Sequence, residues 1–193
     1  MLNKRFAMLC ALLLAACSAG VSDRPPLEGA KMGGPFALTG ENGRIVRDSD
    51  FAGKYRLIYF GYTYCPDVCP VDVQKLMQGI TELEKSAPQV AAKLQPLFVS
   101  VDPERDTPAV LREFTTAFHP RLIGLTGTTD DIAKMAKAYG VFSQKQDETQ
   151  PGTYLVDHSR TTTLYGPKGE PIALIDAQET PAAIAAELQR WVK

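Results

Sequence analysis

Apolar and polar positions fall into blocks along the chain, and the period of the blocks changes between them. Residues Tyr55 to Tyr62, YRLIYFGY, are almost wholly apolar, β-branched or aromatic, the pattern of a strand buried on both faces. Beyond the next loop, Val73, Leu76, Met77, Ile80 and Leu83 recur at three- and four-residue steps, which predicts an amphipathic helix with Pro70 in its first turn. LQPLFVSV, Leu94 to Val101, predicts a second strand, and a helix opening at Thr107-Pro108 carries Val110, Leu111, Phe114 and Phe118 on one side. Arg121 to Gly127 and Thr129 to Tyr139 repeat strand then helix, with Thr129 as the expected N-cap and Gly140 as the stop.

Ahead of this alternation, FALTGENGRIV (Phe36 to Val46) predicts a β-hairpin, because Asn42-Gly43 favours the positive backbone angles of a tight turn. Behind it, YLVDH and TTTLYG are close enough to pair, PIALI follows Lys168-Gly169, and a last helix runs from Thr180-Pro181 to Trp191. A βαβαβα core with an N-terminal hairpin, closed by antiparallel strands and one helix, is an α/β sandwich. In this order the YLVDH strand is expected beside Tyr55 to Tyr62. The polar segment SQKQDETQPG, Ser143 to Gly152, is expected to be exposed and mobile.

Composition narrows the function classes. The chain has 193 residues, 45% hydrophobic and 22% charged, within the range of one cored domain plus an attachment segment. A net charge of -1 without a basic run offers no stripe for a phosphate backbone, so nucleic acid is excluded as a partner. MLNKR, the apolar run Phe6 to Ala16 and the LAAC box that ends it resemble a bacterial lipoprotein signal, implying residues 1–16 as signal peptide and lipidation at Cys17. Residues 17–34, rich in Gly, Pro, Ser and Ala, are expected to be a flexible tether, and residues 35–193 the domain. With Cys10 in the signal and Cys17 lipidated, the four cysteines leave Cys65 and Cys69 as thiols of the domain.

Both lie in YCPDVCP, between a buried strand and a helix, where open α/β folds place their sites. Helix amides and the dipole are expected to favour a thiolate there, with Asp67 and Asp72 opposing part of the effect. A structural disulfide is permitted by export, but closing so short a loop removes little chain entropy. A redox pair remains open, although thiol oxidoreductases usually have two residues between their cysteines, and here there are three. A metal site needs a further donor beside the thiolates, and soft sulfur with imidazole selects copper or zinc. The chain offers two histidines. His119 precedes Pro120 at a helix end, where facing the last carbonyls is role enough. His158 ends YLVDH, and its spacing alone fits a structural histidine as well as a ligand. Met77 and Met135 fall on apolar helical faces and Met32 in the tether, so none is expected to bind metal.

FGYTYCPDVCP (Phe60 to Pro70), SVDPERDTP (Ser100 to Pro108) and YLVDHS (Tyr154 to Ser159) together resemble the SCO/SenC family of thioredoxin-fold copper chaperones, which assist assembly of the binuclear copper site of cytochrome c oxidase. The resemblance runs from Pro35 to the C-terminus. It implies a thioredoxin-like sandwich, a central mixed sheet flanked by helices. It further implies one copper per chain, Cu(I) or Cu(II), held by Cys65, Cys69 and His158 and passed by ligand exchange to the copper-accepting subunit of the oxidase. An upstream copper chaperone is a further implied partner, and a lipid anchor would hold the domain on the periplasmic face of the cytoplasmic membrane. Tyr64 departs from the family, in which histidine is common at that place. Asp102 and Asp106 lie in a family motif, yet a turn at Asp102-Pro103 and a helix start at Thr107-Pro108 account for them structurally. The competing function is a thiol-disulfide oxidoreductase cycling Cys65 and Cys69 against an exported partner's cysteines.

Overall fold

The computed structural model describes residues 24–193; the signal segment and Cys17 lie outside them. Strands β1 (Ala37–Gly40) and β2 (Ile45–Arg47) form the expected hairpin. Its turn has Gly43 at φ 77°, and Asn42 Oδ1 accepts the Arg44 N–H at 2.9 Å. The alternation follows as β3 (Tyr55–Gly61), α1 (Val68–Ser86), the one-turn α2 (Pro88–Ala91), β4 (Leu94–Ser100), α3 (Pro108–Phe118), β5 (Ile123–Thr126) and α4 (Thr129–Ala138). The chain closes with β6 (Ser143–Lys145), β7 (Val156–His158), β8 (Thr162–Tyr165), β9 (Pro171–Leu174) and α5 (Pro181–Trp191).

Seven strands make one mixed sheet in the order β2-β1-β5-β4-β3-β8-β9, and β6 and β7 make a separate pair. β3, β4 and β5 run parallel, whereas β8 is antiparallel to β3. All seven residues of β3 are buried, as its unbroken apolar run requires. The predicted face of α1 is buried through Val73, Leu76, Met77, Ile80 and Leu83. α1 and α5 meet so closely at Gly79 that a Cβ there would lie 2.5 Å from Ile184 Cγ2. The result is a thioredoxin-like α/β sandwich with helices flanking a central mixed sheet.

Three expectations change in detail. The N-cap of α4 is Thr128, whose Oγ1 accepts the Asp131 N–H at 3.1 Å, so Thr129 is the first helical residue. Gly140, at φ 68°, follows the helix end as anticipated. YLVDH does not lie beside β3. Its last three residues pair with Ser143–Lys145, and β8 takes the place next to β3. Lastly, residues 24–34 are docked rather than free. Leu27 N–H donates to Ile172 O at 3.0 Å, Gly33 N–H to Ala138 O at 2.8 Å, and Tyr139 Oη–H to Gly34 O at 2.7 Å, while Met32 packs on the core. Composition suggested a loose chain, but carbonyls of β9 and of the α4 C-terminus offer it acceptors.

Candidate metal centre

The cysteine loop leaves the carboxyl end of β3, and backbone chemistry explains its shape. α1 begins without a side-chain cap from Asp67. The Cys65 sulfur stands in, accepting the Cys69 N–H at 3.5 Å, and Pro70 has no N–H to satisfy. Cys69 is wholly buried at the first turn of α1, against Gly61, where a Cβ would lie 3.0 Å from its sulfur. Cys65 is 9% exposed, at the rim, and both thiols are free.

His158 reaches this place by strand register. Thr162 at the start of β8 is opposite Tyr59, near the carboxyl end of β3, so the residues before Thr162 overhang that end. β7 arrives there from the side, fixed by its Val156 N–H donating to Tyr62 Oη at 3.3 Å. His158 Nε2 is 3.1 Å from Cys69 Sγ, and the donor atoms of Cys65, Cys69 and His158 all lie within 4.8 Å of one another. Among the described residues, this is the one group of three such donors with that spacing. The rings of Tyr59 and Tyr62 stand edge-on to the imidazole at 6.4 and 5.8 Å.

Protonation states follow from burial. Burial pushes the Cys69 thiol up to about 12, outweighing the N–H contact to it, so the expected depression by the helix terminus does not hold for this cysteine. Burial pushes the His158 imidazole below its ordinary value, which keeps it neutral at neutral pH. Its Nδ1 lies 3.0 Å from the Ser159 carbonyl, which can only accept, so Nδ1 carries the proton and Nε2 faces the thiol with its lone pair. Two sulfurs and a neutral imidazole form a soft donor set that suits copper.

The other sequence candidates have structural roles. Asp106 accepts from Thr63 N–H at 3.1 Å and from Thr63 and Ser100 hydroxyls at 2.6 Å each, fastening the loop after β3 to that after β4. Asp102 accepts from Tyr154 Oη–H at 2.7 Å and Arg105 Nε–H at 2.5 Å. His119 is buried at the end of α3, but its ring faces no helix carbonyl. Nδ1 accepts the Arg121 N–H at 3.2 Å, and Nε2 lies 3.4 Å from Glu84 Oε2. Sequence reasoning overlooked Tyr59 and Arg160 and gave Asp72 only a charge. Asp72 is nevertheless buried, three residues after Cys69 at the spacing of the buried stripe, and a carboxylate in that position is the signal that could have been followed.

A family model described as SCO1/SenC matches residues 24–193. The chain is 38% identical over 157 residues to the mitochondrial SCO1 homolog of Homo sapiens, covering 81% of this chain and 52% of that protein. The chain spans about half the length of the first curated relatives it matches. Among solved structures, ScoI of Bradyrhizobium japonicum with copper bound is 39% identical with a TM-score of 0.75, covering 83% of this chain and 99% of that one. A SCO1/SenC family lipoprotein from Bacillus anthracis is 26% identical with a TM-score of 0.66, over 84% and 95% of the two chains.

Proposed function

The chain belongs to the SCO1/SenC family, and from that premise we propose that it is a copper metallochaperone. It binds one copper ion, Cu(I) or Cu(II), through Cys65, Cys69 and His158 and delivers it to the copper-accepting subunit of cytochrome c oxidase during assembly of the binuclear copper site. The observation that carries this reading is the convergence of three soft donors from two distant segments, with His158 Nε2 already directed at Cys69 Sγ. The copper bound to the Bradyrhizobium relative supports it. Two thiolates balance the charge of Cu(II) or leave Cu(I) with one negative charge, and neutral His158 adds a ligand without adding charge. Cys65 at the rim is the sulfur that an incoming ligand reaches, and Cys69 stays in the interior.

Residues 1–16 act as a lipoprotein signal and Cys17 carries the lipid, holding the domain on the periplasmic face of the cytoplasmic membrane. The LAAC box and the Bacillus anthracis lipoprotein relative support this. Residues 35–193 are the copper-binding domain, with 24–34 docked on it. An upstream copper chaperone supplies the ion.

The unequal exposure of the thiols also favours a second reading. A rim Cys65 beside a buried Cys69 is an arrangement for attack on, and resolution of, a partner's disulfide. Copper-loaded protein mixed with the metal-free copper-accepting domain of the oxidase subunit, its cysteines already reduced, separates the two readings. The chaperone transfers about one copper per chain. Thiol turnover without copper transfer leaves the oxidoreductase.

A further inference from the structure

His158 stands at the end of a two-stranded sheet that shares no ladder with the main sheet, so backbone pairing does not fix its distance from the cysteines. Between it and β8 lie three residues, Ser159, Arg160 and Thr161. Arg160 reaches back across the site to α1. Its Nε and Nη2 donate to the two oxygens of Asp72 at 3.0 and 2.6 Å. Asp72 sits on α1 one turn beyond Cys69, with its side chain 2% exposed. Tyr59 Oη–H donates to the same carboxylate at 3.1 Å, and the Tyr59 ring meets the His158 imidazole edge-on. The buried carboxylate is thus filled by a fork from the His158 turn and a hydroxyl from β3. A planar guanidinium meeting a carboxylate with two bonds fixes orientation as well as distance.

Within that same turn, the Ser159 carbonyl accepts from His158 Nδ1 and so decides which nitrogen faces the thiol. We propose that the Asp72–Arg160 pair is the positioning clamp of the copper site. It ties the turn that orients His158 to the helix that carries Cys69, with Tyr59 bracing the carboxylate. Without the clamp, the cysteines keep their places on α1 and its loop and Ser159 stays bonded to Phe142 through its N–H and Oγ, but the link from Ser159 to β8 is no longer tied to α1, and the imidazole no longer holds one tautomer and one direction. This deepens the three-ligand reading and rests on it.

The test uses Arg160→Gln, Asp72→Asn and the double variant beside parent and His158→Ala. In metal-free protein, imidazole nitrogen shifts report the His158 tautomer. In copper titrations, competition with a chelator reports affinity, and the thiolate-to-Cu(II) absorption reports geometry. Expected are a His158 signal that moves from a single Nδ1–H form to an average, and copper affinity lower by about tenfold to a hundredfold in each single variant. The double variant should lose no more than either single one, because both remove one clamp. A Trp191 fluorescence melt selects a temperature at which each variant is folded. Nitrogen shifts and copper affinity unchanged in both single variants, while His158→Ala loses copper, would overturn the clamp. If His158→Ala itself keeps copper at parental affinity, the three-ligand reading fails instead, and the nitrogen shifts still decide whether the clamp orients His158.

Discussion

At the scale of single residues, burial and one carbonyl set the protonation states of the candidate donors. Cys69 is protonated at neutral pH, because burial pushes its thiol up to about 12, so metal binding at this sulfur displaces a proton. His158, pushed below its ordinary value, is already neutral and releases none. The sign is therefore set. Apparent copper affinity rises with pH between 7 and 8, by about tenfold per unit for each thiol proton displaced. Chelator competition at several pH values checks this, and an affinity independent of pH would contradict it. The closeness of Cys65 and Cys69 was legible in the sequence because CPDVC is local. The direction of the Cys69 shift was not, since helix position is read from neighbours but burial comes from Gly61 and the sheet beneath.

Secondary elements set what can move. The β6–β7 pair carrying His158 is held to the loop after β4 by Lys145 Nζ to Glu104 Oε2 at 2.8 Å and by the Tyr154 hydroxyl on Asp102. Arg105 stacks on the Tyr154 ring at 3.6 Å. The Lys145 link is exposed and contributes little, whereas the Tyr154–Asp102 bond is buried. This predicts a hairpin anchored where its ladder gives way to the loop, at Lys145 and Tyr154, and looser at the tip beyond them. Copper binding should slow hydrogen exchange across residues 143–159, because a ligated His158 holds β7 and its partner β6 in place, and exchange unchanged by copper would contradict a ligand carried on this hairpin. α1 is constrained from its other side by α5. Gly79→Ala gains about 1 kcal/mol of helix propensity but drives a methyl into Ile184, an overpacking that costs up to about 3 kcal/mol. A net loss near 2 kcal/mol, or roughly 4–8 °C in melting temperature, is expected, with copper stoichiometry intact. A melting temperature at or above that of the parent would contradict the close crossing.

Across the whole molecule, the site exists because three interior strands have termini at the same end of the sheet. β3 and β4 run parallel and finish there, and the antiparallel β8 begins there, with Thr162 opposite Tyr59. Block periodicity was enough to recover the alternation of β3 to α4, the hairpin and α5. It assigned the wrong neighbour to β3, because YLVDH and TTTLYG are both strand-like, and only their burial in three dimensions separates them. The docking of residues 24–34 was equally hidden, since its hydrogen bonds go to β9 and the end of α4, far along the chain. His158 could be singled out only by resemblance, and the β8 register supplies the physical reason it arrives beside the cysteines.

The three-ligand copper site is tested by copper stoichiometry with an absorption spectrum, on reduced protein and on His158→Ala. About one copper per chain with thiolate-to-Cu(II) charge-transfer bands is expected, lost or much weakened in the variant. Failure of the reduced parent to retain copper, with Cys65 and Cys69 cycling readily through a disulfide, would contradict it.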